Sequence, residues 1–269
     1  MELVRSAFLV VVTALCLVTA NPAAAAIASA SLDWSNFQIF TLGIPGGPPP
    51  TYSFSQQSTS WSTSASTVND SSDSRTHTAF NWTSALDISS DTPNATAEAL
   101  VSTETFSTRT SASDSFSSNP FLSNQANAGV SRNATLLLSG PMAVIFSVPY
   151  SISVDGVPFD FSRRATANVT GFASFFPNQG GGFEQTSRSF GLESFSGPAS
   201  LSGNLFFGLV VDGDGVLNVS LSTLTSAVAP DPVPEPSVAL TLLAGLVVVG
   251  MMFKRRLTAR GMSDIPAMA

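Results

Sequence analysis

An all-β body, built as a single β-sandwich or jelly-roll-like domain, is predicted by three observations. Apolar and polar residues alternate over long stretches, Asp-Gly pairs separate those stretches, and no segment between residues 29 and 228 sustains a helical period between capping signals. Strands with one buried face need period two, and a chain made of several such strands must pack sheet on sheet to cover them.

The 269-residue chain begins with a short start carrying Arg5, an apolar stretch over 7–20, then Asn21-Pro22 and a run of alanines. That is the three-part order of a secretory signal peptide, assigned to residues 1–28. Several small-x-small steps place cleavage between Ala25 and Ala30 without choosing among them. The apolar stretch is shorter than the ~20 residues of a membrane span. Cys16, the only cysteine, lies inside it, so the exported chain is expected to hold no disulfide and no thiolate metal site.

Within the body, 29–228, the clearest strand is AVIFSVPYSISV. Val144, Phe146, Val148, Tyr150, Ile152 and Val154 share one face, while Ser147, Ser151 and Ser153 occupy the other. Pro149 lacks an amide donor and points to an edge or a bulge. Asp155-Gly156 follows, a pair suited to a two-residue hairpin turn, so a returning strand is expected from Val157. A second hairpin is expected with Leu205, Phe207, Leu209 and Val211 going in, Asp212 to Gly215 turning, and Leu217, Val219 and Leu221 coming out. Residues 32–40, 97–110 and 166–176 read as further strands. The serine-rich residues 53–84 read either as a hydroxyl-rich linker or as a long polar-faced strand pair anchored by Tyr52, Phe54, Trp61, Phe80 and Trp82. Ser and Thr also recur in the clear strands, which favours the strand pair.

Charge is scarce. Residues 31–236 hold six arginines, no lysine and 16 acids, a balance of −10. A body of that sign offers no basic footprint for nucleic acid, so a nucleic-acid partner is not expected. Catalytic, cofactor and metal residues are expected to be none. His77 is the only histidine, and abundant serine makes any Ser-His match by residue type uninformative. Asp212 and Asp214 lack the further oxygen ligands of a calcium loop. Trp34, Trp61 and Trp82 are either core residues or platforms on which sugar rings stack.

Residues 229–236 are proline-rich and read as an extended linker, residues 237–256 as a transmembrane helix closed by a basic cluster, and 257–269 as a cytoplasmic tail. At ~1.5 Å per residue, the uncharged run gives a helix of about 25 Å, which lysine and arginine snorkelling extends toward a ~30 Å core. Pro234-Glu235-Pro236, the apolar run and the cluster Lys254-Arg255-Arg256 together resemble the PEP-CTERM sorting signal of Gram-negative bacteria. The resemblance covers the last 30 to 40 residues and departs from the pattern in continuing over 257–269. It implies that Pro234, Glu235 and Pro236 are the recognition element of the membrane enzyme exosortase. It implies too that the helix holds the element at the membrane before processing, and that the protein is exported to the cell surface or an extracellular polysaccharide and biofilm matrix. The resemblance transfers no residue-level function to the β body. A carbohydrate-binding module or adhesin is the alternative expectation.

Overall fold

The computed structural model describes residues 25–43, 45, 49–67, 71–113, 123–156, 163–178 and 182–230. Residues 1–24 of the expected leader, the linker from 231, Pro234, Glu235, Pro236, the apolar run and Lys254, Arg255 and Arg256 lie outside them. Among the described residues, no helix is long and apolar enough to cross a membrane.

The described strands are β1 (Ala25–Asp33), β2 (Gln38–Gly43), β3 (Thr51–Ser66), β4 (Ser72–Ala79), β5 (Leu86–Thr92), β6 (Ala95–Val101) and β7 (Thr105–Ser113). They continue with β8 (Ser123–Ser139), β9 (Met142–Asp155), β10 (Arg164–Pro177), β11 (Glu184–Glu193), β12 (Ala199–Val211) and β13 (Gly215–Pro230). Two antiparallel sheets form. The first has the order β12-β9-β1-β7-β6-β5 with β2 also on β9, and the second β11-β10-β13-β8-β3-β4. The all-β sandwich expected from alternation is the observed architecture. β1 starts at Ala25 and β13 ends at Pro230, so the folded body reaches beyond both ends of the 29–228 span.

Residues 53–84 form strands, not a linker. Outward serines of β3 lie beside Ser72, Ser74, Thr76 and Thr78 of β4, while Trp61 and Thr63 point inward. Phe80, expected as an inward anchor, is instead 87% exposed. The stretch 97–110 is two strands, β6 and β7, because Ser102 turns the chain: its Oγ accepts from the Glu104 and Thr105 amides.

Both expected hairpins are corrected. The strand expected from Val157 falls on residues outside the described ones. β9 already has β12 on one side and β1 and β2 on the other, which leaves no edge for it, and the next described strand, β10, lies in the other sheet beside β11 and β13. Likewise β12 pairs with β9 while β13 pairs with β8 and β10, so the turn after Val211 crosses between sheets. The physical reason is that alternation marks which face is buried and not which strand is the neighbour. An arch between two sheets and a hairpin within one place the same residues inward.

Pro149 is also relocated. It stands in an interior strand, between Tyr150, the last β9 partner of β1, and Ser147, the first partner of β2. The chain leaves the ladder there through a 3-10 turn at Trp34–Asn36, so no strand on that side calls for the missing proline donor. Asp33 holds this turn: Oδ1 accepts from Ser35 Oγ at 2.6 Å and Oδ2 from Asn36 Nδ2 at 2.7 Å. Those bonds, that from Ser35 foremost, keep its carboxyl below the usual carboxylate range.

The core is graded along the strands. At the end where β1 begins and β13 finishes, the inner faces carry Ala26, Ala28, Ala112, Ala126, Ala128, Ala227 and Ala229. Farther along, Phe146, Leu136, Leu217, Leu205 and Met142 fill the space. There Gly171 faces Phe207 of the other sheet so closely that an added Cβ would stand 2.3 Å from the ring. Asn124 Nδ2 donates to the Ser113 carbonyl at 2.6 Å at the alanine end, joining β8 to β7 across the sandwich. Both ends of the body therefore leave from that one end.

At the opposite end, Asp214 ties the arches together. Its Oδ1 accepts from the Gly140 amide at 2.6 Å, and its carbonyl accepts from Asn178 N–H at 3.0 Å. Gly140 has φ +83°, a region that glycine enters without strain. Asp214→Ala removes the side-chain bond and is expected to cost about 1 kcal/mol, or roughly 2–4 °C in thermal midpoint measured by circular dichroism.

Candidate functional site: an uncharged hydroxyl and amide face

The outer face of the second sheet follows directly from period two. Every odd position of β8 and every even position of β13 turns outward, and the sequence places Ser, Thr, Asn or Gln at most of them. The register aligns them in transverse rows. Thr78, Ser60, Ser131, Ser222, Thr170 and Ser189 form an unbroken row of hydroxyls across all six strands. Five strand spacings of ~4.8 Å make it about 24 Å wide, with neighbouring rows ~6.8 Å away. Ser60 and Ser131 share a hydrogen bond of 2.7 Å, and Thr135 Oγ1 donates to Asn218 Oδ1 at 2.8 Å.

Toward the aromatic end, this face deepens into an open trough of about 860 Å³. Its floor holds Ser58, Asn133 and Ser220 in one row, with Thr135 and Asn218 in the next. Phe172 closes the row on β10, and Phe80, just past the end of β4, closes it on the other side. Four strand spacings separate those two strands, about 19 Å. A bulge between Phe54 and Gln56 breaks the β3 ladder there, and the extra residue, Ser55, lines the trough beside Gln56. Among the described residues, no charged side chain lines the trough.

Such a surface can exchange hydrogen bonds with neutral polyols and can stack two ring faces on phenylalanines. It carries no cation for a carboxylate or phosphate and no base for proton transfer. On the rest of this outer face, Arg164 and Glu193 are ion-paired to each other on neighbouring strands.

The residues singled out from sequence fall elsewhere. Trp61 and Trp82 are buried, at 2% and 9% exposure, and Trp34 stacks on Phe37 at 4.5 Å and meets Trp82 edge-on at 4.9 Å. Trp61 and Trp82 are thus core residues, and Trp34 is half-buried against that core with its ring faces taken by Phe37 and Arg132. His77 sits on β4 opposite Trp61, ring centroids 5.4 Å apart, and among the described residues donates to no orienting carboxylate. Asp212 and Asp214 stand at an arch, and no metal-binding group of three acids or histidines exists among the described residues. Phe80, Phe172, Asn133 and Asn218 were the residues that sequence reasoning missed. The signal was available in part, since Asn133 and Asn218 both fall on the polar face of an alternating strand.

Fold and face together define a class: an antiparallel two-sheet sandwich with an uncharged, hydroxyl- and amide-bearing outer surface. No known protein family matches the chain, and no curated protein sequence matches it. Among solved structures, vicilin from hazelnut (Corylus avellana) aligns over 82% of this chain and 82% of that chain, at 9% identity and a TM-score of 0.11. At that score the likeness carries no argument.

Proposed function

We propose that the chain is an exported, non-catalytic surface or extracellular-matrix protein of a Gram-negative bacterium. In this reading a jelly-roll-like sandwich is flanked by a leader that ends by Ala25, inside the 1–28 span expected from sequence, and by a membrane helix at 237–256. Exosortase recognises Pro234, Glu235 and Pro236, and the processed body is deployed in an exopolysaccharide matrix. The observation that carries it is the order of three elements in the tail: the Pro-Glu-Pro motif, the apolar run, and the Lys254-Arg255-Arg256 stop. The tail's linker follows Pro230 at the alanine end of the body, while Asn133 in the trough lies roughly 33 Å along β8 from Ser123, at ~3.3 Å per residue.

Peptide mapping by mass spectrometry of the protein from its native envelope tests the route. The 238–253 peptide is expected to be absent from the mature species, and its recovery intact would sink the processing step. The same map should show a mature N-terminus at Ala26 or earlier. Ala26 and Ala28 are fully buried and paired with Ala112 and Thr110, so cleavage after Ala28 or Ala30 would strip the start of β1.

A second reading, a carbohydrate-binding module or adhesin, is favoured by the pairing of Phe80 and Phe172 over an uncharged polar floor. Binding of neutral exopolysaccharide from the host, measured by pull-down, is expected to fall about tenfold in Phe80→Ser and in Phe172→Ser, as ~1.4 kcal/mol per lost ring contact predicts. Undiminished binding in both variants would discard the trough as the contact.

A further inference from the structure

We infer that the body associates with a second copy of itself by antiparallel pairing of β12 with β12 of the copy. This goes beyond the proposed route and does not rest on it.

An edge strand presents unpaired amides and carbonyls, which only another extended strand can satisfy in a ladder, and proteins that stay apart block such edges with charge. Four strands run along the outer edges of the two sheets. β4 carries Asp73, Arg75 and His77; β5 carries Asp87 and Asp91; β11 carries Glu184, Arg188 and Glu193. β12, ASLSGNLFFGLVV, has 13 residues and no charge or proline. β2 is also open on one side but is only six residues long.

Charge selects the occupant. A twofold contact sets each strand against its own copy: the two acids of β5 would meet only like charge, β4 and β11 would each have to bring charged side chains into the seam, and β12 brings none. The side chains are self-complementary in one register. With Gly208 on the twofold axis, Phe206 of one copy stands opposite Val210 of the other, and Leu205 opposite Val211, inner face to inner face. Phe206 and Val210 are 55% and 60% exposed. They belong to a three-strand apolar patch, because Phe206 shares a row with Ser147, Gly208 with Ile145 and Phe40, and Val210 with Ala143 and Leu42. Phe40 and Leu42 are 46% and 62% exposed. The proposed register joins this patch to its copy, making one apolar band across β2, β9 and β12 of both. Asp212, the next residue beyond the strand, faces the uncharged Asn204 of the copy. Arg188 of the neighbouring β11 is engaged over the Phe190 ring at 5.1 Å.

Cysteine pairing reads this register directly, since the full chain has only Cys16 to remove. In a Cys16→Ser background, the double variant Phe206→Cys/Val210→Cys is expected to form a covalent dimer on mild oxidation, because each new thiol faces its partner type across the axis. Each single variant should stay largely uncross-linked, since neither faces itself. Sedimentation of the full chain in mild detergent gives a second measure. Phe206→Lys/Val210→Lys should weaken association at least tenfold, while Ser187→Lys on β11 leaves it unchanged. A double-cysteine variant that does not cross-link, singles that cross-link equally well, or lysine variants that sediment as the parent does would each overturn the pairing.

Discussion

Trp82→Ala is expected to lower the unfolding free energy by about 3–5 kcal/mol, the range for removing a large buried aromatic side chain. The indole lies edge-on to Trp34 at 4.9 Å, to Phe54 at 5.1 Å and to Phe37 at 6.0 Å. Its Nε1–H donates to the Asn133 carbonyl at 2.9 Å. Trp82 therefore pins the segment after β4 to β8, directly behind the trough floor. Trp82→Phe keeps most of the packing and loses the hydrogen bond, so its cost should be about 1 kcal/mol. Urea unfolding followed by tryptophan fluorescence and circular dichroism separates the two. A loss under 1 kcal/mol for Trp82→Ala would mean that the ring is a surface platform after all. Trp61→Ala should behave as a core truncation for the same reason, lowering stability while leaving glycan affinity in the folded fraction intact.

Arg132 carries the second large effect. It occupies an inward position of β8 at 1% exposure, between Val130 and Ala134 on the same face. Its guanidinium lies over the Trp34 ring at 4.3 Å and donates from Nη2 to the Ser102 carbonyl at 2.9 Å. Nε and Nη1 find no partner among the described residues, and no carboxylate neutralises the charge. Burial pushes its pKa down to about 10. The sign follows from proton counting. A base whose folded pKa is depressed binds more protons when unfolded, so its charge opposes folding below about pH 10, and stability rises as pH climbs from there toward its ordinary value. Across pH 5 to 9 the cost is constant. Arg132→Ala is expected to lose about 3 kcal/mol, because it opens a cavity under Trp34 and orphans the Ser102 carbonyl. Arg132→Met refills the volume without a charge to desolvate and should recover most of that loss or exceed the parent. The difference between the two variants should not change between pH 5 and 9. A Met variant as unstable as the Ala variant would show that the cation–π contact outweighs desolvation.

Much of the sandwich was legible residue by residue. The inward face of β9, from Val144 to Val154, is the one that alternation marks, and so are Leu205, Phe207, Val211, Leu217, Val219 and Leu221. Period two is a property of a single strand, and a half-buried strand must obey it whatever its neighbours are. The candidate site was legible only in fragments. Its polar residues lie on outward positions of three strands, and sequence order separates Ser58 from Ser220 by most of the body. Register alone brings them into one row. Phe80 was misplaced because an aromatic after a polar strand reads as an anchor, while the anchor of that turn is Trp82 two positions on.

By itself, then, the amino-acid sequence determined the β class, the buried face of each strong strand, and the scarcity of positive charge on the body. These depend on local side-chain alternation and composition, which survive any choice of partner. Tertiary structure alone decided that Asp155-Gly156 and Asp212 to Gly215 join different sheets, that Pro149 falls at a gap in the ladder, and that scattered serines and asparagines assemble into one face. Each of those is a pairing between residues far apart in the chain. Pairing is chosen by how whole faces fill the space between two sheets, as where Gly171 yields to Phe207, and no local window contains that information.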